Sequence, residues 1–270
     1  MTDPLPPIDV ALLEALTEIV ARAAAAILAV PRADLATTTK ADNSPVTAAD
    51  LAADTVISEG LARLLPHLPV ISEERCDGTP APSSTCALVD PLDGTKDFVA
   101  GRGEFTVNLA LIRDGRPVAG IVAAPASGEL FRGAEGLGAE KLQLSGSETR
   151  PGGAVPIRTR RAPSGNVIAV VSRSHLDAAT IAYLQLFPVA RQIAIGSSLK
   201  LCRLAEGAAD LYPRLSPLSE WDLAAGHAVL AAAGGLVTAP DGRPLLYGTH
   251  TGLRIPGFLA WGDPALAKAV

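Results

Sequence analysis

Residues 87–99 read ALVDPLDGTKDFV. A short apolar run leads into three carboxylates, Asp90, Asp93 and Asp97, within eight residues. Like charges repel, and a folding chain has no structural need to gather them beside a buried strand. Pro91 forbids a regular strand or helix across the segment, and Gly94 allows a tight reversal. The stretch therefore reads as a strand, CALVD, stopped by a turn. Two carboxylates three residues apart across such a turn can point at one location. Hard divalent cations want these oxygens: magnesium takes one or two carboxylates, keeps some waters and finishes its shell on phosphate. The Leu92 carbonyl is one more oxygen there. If a helix begins at Gly94 and Thr95, their N–H groups make an anion site beside the metal.

Outward from this stretch, Leu12, Leu16, Ile19, Ala23 and Ile27 recur at helical spacing, predicting an amphipathic helix over residues 8–29. A polar loop, TTTKADNSP, precedes a second helix that starts after Pro45 and runs to about Leu65, and PVISEE reads as a strand ending in acids. FTVNLALI and PVAGIVAAP are β-branched strands joined by RDGR, a hairpin signal, and GELFRG extends that sheet. Residues 151–165, rich in Pro, Gly and Arg, read as a connection, dividing the chain into halves 1–155 and 156–270. Beyond it strand and helix alternate: NVIAVVS, HLDAATIAYLQLF, VARQIAI, SLKLCRLAEG, ADLYPR, SEWDLAAGHAVLAAAGG. That alternation predicts an α/β layer.

With 48% hydrophobic residues in 270, a sizeable core is available. No apolar run reaches the ~18 residues of a membrane span, and the first residues carry no secretion signal. Three cysteines, Cys76, Cys86 and Cys202, fit neither a disulfide framework nor a zinc pattern. Free thiols imply a cytoplasmic protein; peripheral contact with the inner membrane face and the oligomeric state stay open, a monomer being compatible. The net charge of −5 argues against a nucleic-acid polymer as partner. It leaves a small anion free to bind.

The other acids each have a structural reading. Thr47-x-x-Asp50 fits a capping box, Glu73 and Glu74 fit a solvated loop, and Asp222 complements a helix dipole. In the second half, IGSSLK sets Gly196, Ser197, Ser198 and Lys200 at a strand-to-helix junction, where N–H groups and a lysine suit a phosphate. Arg214 in LYPR is able to clamp the same group. Alone, Lys200 reads as an exposed helix lysine and Arg214 as a surface ion pair. His175 follows SRS, and Lys96 meets either phosphate or solvent. His67, His227 and His250 read as packed or surface residues.

The order SEE, DPLDGT, WDLAAGHAV resembles the metal-dependent, lithium-sensitive phosphatases typified by inositol monophosphatase. KADNSPVTAAD, DPLDGTKDF, GEFTVNLALI, SRSH, IGSSLK and LYPR are similar to their bacterial CysQ-type branch, the 3'(2'),5'-bisphosphate nucleotidases. Asp97 stands where glutamate is more usual. The resemblance implies an αβαβα sandwich, an α/β (α+β) fold whose halves share one cleft. It implies Mg2+ ligands Glu73, Asp90, the Leu92 carbonyl, Asp93 and Asp222, holding two or three ions inhibited by Li+. Asp50 and Thr95 would then activate water, with Glu73 supporting catalysis. Gly94, Thr95, Lys96, His175, Gly196, Ser197, Ser198, Lys200, Arg214 and Asp222 would hold the substrate. The implied reaction converts adenosine 3',5'-bisphosphate (PAP) to AMP and phosphate, with 3'-phosphoadenylyl sulfate (PAPS) as second substrate, in sulfate assimilation. An inositol or sugar phosphatase with the same metals, or a non-catalytic sensor, are the competing readings.

Overall fold

The structure, a computed structural model, describes residues 5–31, 38–39, 45–76, 84–144, 152–163, 165–248 and 253–268. Lys40 to Ser44 of the KADNSP stretch and His250 lie outside these. Helix α1 (Val10–Ala29) starts at Asp9, whose carboxylate accepts the Leu12 N–H at 2.8 Å and so satisfies one of the free donors of the first turn. Its buried stripe contains the five residues whose spacing predicts it. Within the expected polar loop, β1 (Thr38–Thr39) and β2 (Pro45–Val46) pair antiparallel. Helix α2 (Ala48–Leu64) follows and packs on α1.

Seven strands lie side by side in chain order: β3 (Val70–Ser72), β4 (Cys86–Asp93), β5 (Thr106–Arg113), β6 (Arg116–Ala124), β7 (Glu129–Ala134), β8 (Gly138–Gln143) and β9 (Gly152–Ile157). Only β3 and β4 run parallel. The short helix α3 (Thr95–Val99) sits between β4 and β5. The β5–β6 turn has positive φ at Asp114 and Gly115, 51° and 75°, as a tight hairpin with Asp-Gly at its centre requires.

The second half builds β10 (Val167–Ser172), α4 (Ala178–Leu184), β11 (Val189–Ile195), α5 (Leu199–Ala205), β12 (Leu211–Arg214), β13 (Leu218–Ser219), α6 (Glu220–Ala232), β14 (Leu236–Thr238), β15 (Arg254–Ile255) and β16 (Phe258–Trp261). A five-stranded sheet runs β11-β10-β12-β16-β14. Period-two alternation then stacks the layers. Ala87, Val89, Leu109 and Leu111 of the large sheet face α1 and α2. Cys86, Leu88, Ala110 and Ile112 face the opposite way, sharing a core with α5, α6 and Tyr212, Phe258 and Ala260 of the small sheet. Ala169, Val171, Leu211 and Leu259 of the small sheet pack with Leu184 of α4. The layers are α1/α2, sheet, α5/α6, sheet, α4, an αβαβα sandwich as expected.

Three local expectations need correction. Pro91 does not stop the strand; β4 continues to Asp93 through a register shift between Asp90 and Asp93. Residues 151–165 are not all connection, because β9 pairs with β8 at the sheet edge, and the 155/156 boundary falls inside it. Helix α4 takes up only part of HLDAATIAYLQLF.

Candidate active site

The register shift in β4 makes the site. Asp90 pairs with Asn108 and Asp93 with Thr106, so one extra residue is accommodated between them. In an unbroken strand, residues three apart face opposite sides; one inserted residue restores the parity. Asp90 and Asp93 thus line the same cavity, while Val89 and Leu92 share the other core. The Leu92 N–H donates to Asp90 Oδ1 at 3.0 Å, closing the turn over Pro91. Gly94 follows at φ +92°, with the Glu104 carbonyl 3.1 Å from where a Cβ would stand. Only glycine occupies that position without strain.

Glu73 comes from the turn after β3. Its N–H donates to the Val89 carbonyl at 3.1 Å, next to Asp90. Asp54 of α2 braces that turn, accepting from Ser72 Oγ and Arg75 Nε, each at 2.6 Å. Asp222 comes from the first turn of α6 and accepts the Ser219 N–H at 3.2 Å. One carboxylate oxygen from each of Glu73, Asp90 and Asp222 lies within 4.8 Å of the others, about the span of ligands around one hard cation. Asp93 stands outside this triad and lines the same cavity.

The electrostatics agree with a cation site. Burial, and next the charge of Glu73, push the Asp90 carboxyl well above the usual carboxylate range. Asp222 rises to about 8, by burial first and then Asp93 and Glu73. Asp93 is also raised by burial, with Lys200 and Arg214 acting against the rise. Carboxylates held so close and dry favour a multivalent cation that neutralises them together, so the residues present fit a metal.

Asp50 does not line the cavity. Its Oδ2 accepts the Thr47 N–H at 2.8 Å and the Thr47 hydroxyl at 2.6 Å, completing the capping box of α2. Its Oδ1 lies 3.2 Å from Thr95 Oγ1, which is equally 3.2 Å from the Leu92 carbonyl. The capping box is formed by one oxygen of Asp50, and the other is left to the Thr95 hydroxyl. Asp97 answers differently from its two neighbours: it is buried and pairs with Arg102 at 2.5 Å.

The same cavity, of about 400 Å³, is also lined by Lys96, His175, Gly196, Ser197, Ser198, Lys200 and Arg214. Lys200 is not an exposed helix lysine; it is 3% exposed. Its ammonium donates to the Ile195 carbonyl at 3.2 Å and to the Ser197 carbonyl, beneath a loop whose Ser197 has φ +50°. Burial lowers Lys200 to about 8. His175 is lowered by burial, then by Arg214, Lys96 and Lys200, which records how many cations face one space. Arg214 Nε is buried with no hydrogen-bond partner among the described residues. Tyr212, Trp221, Arg254 and Phe258 also line the cavity and escape the sequence reading. Tyr212 lies two residues before Arg214 on one strand face, and Trp221 adjoins Asp222, so both were within reach of it. A larger cavity, about 820 Å³, lies between α6 and the β5–β6 hairpin, away from the carboxylates. His227 lines it, bonded to Tyr247 Oη at 2.8 Å.

Known proteins resemble this chain in sequence and fold. A family model described as the inositol monophosphatase family matches residues 3–261. A protein of Escherichia coli K12 named 3'(2'),5'-bisphosphate nucleotidase CysQ is 48% identical over 221 residues, covering 81% of this chain and 86% of the relative. The protein of that name in Shigella flexneri is 47% identical over 227 residues, with the same coverage. The crystal structure of CysQ from Bacteroides thetaiotaomicron superposes with TM-score 0.76 at 36% identity, covering 92% of this chain and 95% of that one. An inositol monophosphatase of Anabaena superposes at 0.70 with 27% identity, covering 94% and 90%. A match over nearly the whole chain, on a fold and an acidic cluster built as described, means that this chain belongs to the metal-dependent inositol monophosphatase family.

Proposed function

We propose that the chain is a Mg2+-dependent, lithium-sensitive phosphomonoesterase that removes the 3'-phosphate of adenosine 3',5'-bisphosphate, releasing AMP and phosphate. PAPS is the second substrate, and the cytoplasm is the compartment. The observation that supports this best is the mixed lining of one cavity: the acids, and with them Lys200, His175 and Arg214, whose Nε has no hydrogen-bond partner among the described residues. A monoester needs the acids alone. A bisphosphate uses both, the 5'-phosphate resting on the cations while the 3'-phosphate meets the acids. The relatives bearing the CysQ name point the same way.

Glu73, Asp90, the Leu92 carbonyl, Asp93 and Asp222 would hold two or three magnesium ions. Bound there, the ions neutralise phosphoryl oxygens, acidify a water and stabilise the leaving alkoxide. Thr95 Oγ takes the proton of the attacking water and passes its own to Asp50 Oδ1, a relay its position between the two supports. Ser198 and Gly196 border the second phosphate, Lys96 stands at the mouth, and half-buried Trp221 offers the base a stacking face. On this reading the first half carries most metal ligands and the second half most substrate contacts.

The test is phosphate release with magnesium from adenosine 3',5'-bisphosphate, inositol 1-phosphate and fructose 1,6-bisphosphate, each with and without lithium. Lithium-sensitive turnover favouring the nucleotide is expected. Preference for inositol or sugar phosphate would overturn the substrate and keep the metal site. No turnover of any would bring forward a sensor.

A further inference from the structure

The GEFTVN stretch, residues 103–108, is conspicuous in the sequence yet holds no metal ligand. In the structure its alternate residues grip one loop. Ser198 Oγ donates to Asn108 Oδ1 at 2.6 Å and lies 2.9 Å from Thr106 Oγ1. The Gly196 N–H donates to Glu104 Oε2 at 2.6 Å. Thr106 and Asn108 share one face of β5 by the period of two, Glu104 precedes the strand, and all three side chains meet the loop carrying Gly196, Ser197 and Ser198. Glu104 also binds Arg173, with Nη2 donating to its Oε1 at 2.7 Å and Nη1 2.6 Å from its Oε2. Arg173 Nη2 in turn donates to the Ala194 carbonyl at 3.1 Å.

Glu104 therefore ties the first half to both segments of the second half that wall the cavity, residues 172–175 and 196–198. The contact is close: a Cβ on Gly196 would stand 2.8 Å from the Glu104 carbonyl and 3.0 Å from Asp97 Oδ2. A carboxylate behind a cationic wall opposes an anion electrostatically. Its presence there makes sense as geometry, with its charge spent on Arg173 and the Gly196 N–H.

We propose that Glu104 is a positioning residue for the second anionic group of the substrate. It fixes the Gly196–Ser198 loop and the His175 segment in register with the metal-bearing half. The inference rests on the bisphosphate reading and adds to it the residue through which the metal half sets the specificity wall.

The test compares Glu104→Ala and Glu104→Gln with the unaltered chain on adenosine 3',5'-bisphosphate and on 3'-AMP, which lacks the 5'-phosphate. Glu104→Ala should raise KM for the bisphosphate about ten- to a hundredfold, the worth of a charge-assisted hydrogen bond. KM for 3'-AMP, kcat and the magnesium concentration for half-activation should stay within about twofold. Glu104→Gln keeps an acceptor for Gly196 and loses the charge facing Arg173, so it should fall between. It also carries the test should the alanine variant not fold. Equal rises for both substrates, a loss confined to kcat or metal activation, or a lowered melt with discrimination intact would each overturn the proposal. An unaltered chain with no preference for the bisphosphate would overturn the function reading beneath it; a preference that survives in both variants would overturn this inference alone.

Discussion

One oxygen of Asp50 closes the cap of α2 while the other meets the Thr95 hydroxyl, so substitutions there separate chemistry from stability. Asp50→Asn keeps a carbonyl oxygen but cannot take a proton; kcat should fall about 10²–10⁴-fold, with about 0.5–2 kcal/mol lost from the cap if the amide faces Thr47. Thr95→Ala should lower kcat comparably and cost about 0.5–1.5 kcal/mol, one hydrogen bond. If the two form one relay, the double variant is no slower than the slower single variant. Turnover at saturating magnesium, with thermal melts, checks this; multiplicative losses would mean the two act apart. The cap was legible because Thr-x-x-Asp is a local pattern. The partnership with Thr95 spans 45 residues, and only the resemblance pointed to it. The burial of Lys200 is hidden from the sequence for the same reason. Its helical position is visible in the sequence, but the strand-to-helix loop that covers its ammonium is a tertiary fact.

Helix α6 presents its small residues to the large sheet, and the sheet answers with glycine. A Cβ on Gly120 of β6 would stand 2.3 Å from the Ala225 carbonyl, and one on Gly133 of β7 would stand 2.8 Å from Ala232 Cβ. This close seat fixes Asp222 beside Glu73 and Asp90. Gly120→Ala should lift the helix, costing about 1–3 kcal/mol as overpacking does, and raise the magnesium needed for half-activation. Gly152→Ala on the edge strand meets nothing within 4 Å and should stay within about 0.5 kcal/mol. Matched melts and magnesium titrations for the two would show that α6 does not depend on this contact. Strands with one or two apolar faces were legible from their alternation. β9 was not, since none of its residues is fully buried and no apolar rhythm marks it. The bulge at Pro91 was legible as an interruption. That the strand resumes beyond it depends on pairing with Thr106, which a local reading cannot supply.

The two halves do not bury their surfaces separately. Leu88, Ala110, Val122 and Phe131 of the first half share a core with Leu201, Leu223, Val229 and Phe258 of the second, so stability is a property of the whole chain. Within that shared region His227 of α6 is held neutral, its pKa lowered to about 4 by burial. The folded pKa lies below the ordinary value of about 6.5, so between those values the unfolded chain binds more protons than the folded one. Stability from this group is present above about pH 6.5, falls by up to about 1.4 kcal/mol for each pH unit toward 4, and levels off below that. In metal-free protein the raised carboxylates Asp90, Asp93 and Asp222 act in the opposite sense, since their folded forms keep protons that the unfolded chain releases. The pH profile of the unaltered protein is thus a difference of two slopes. Comparison with His227→Gln, which retains a partner for Tyr247, isolates one of them. Denaturant unfolding with chelator present, at pH 4.5, 5.5 and 6.5, should show stability declining with acid more steeply in the unaltered protein than in the variant. Parallel profiles would mean that His227 takes up its proton as readily in the folded state as in the unfolded one, and that the space it lines beside α6 is wetter than its packing against Tyr247 implies.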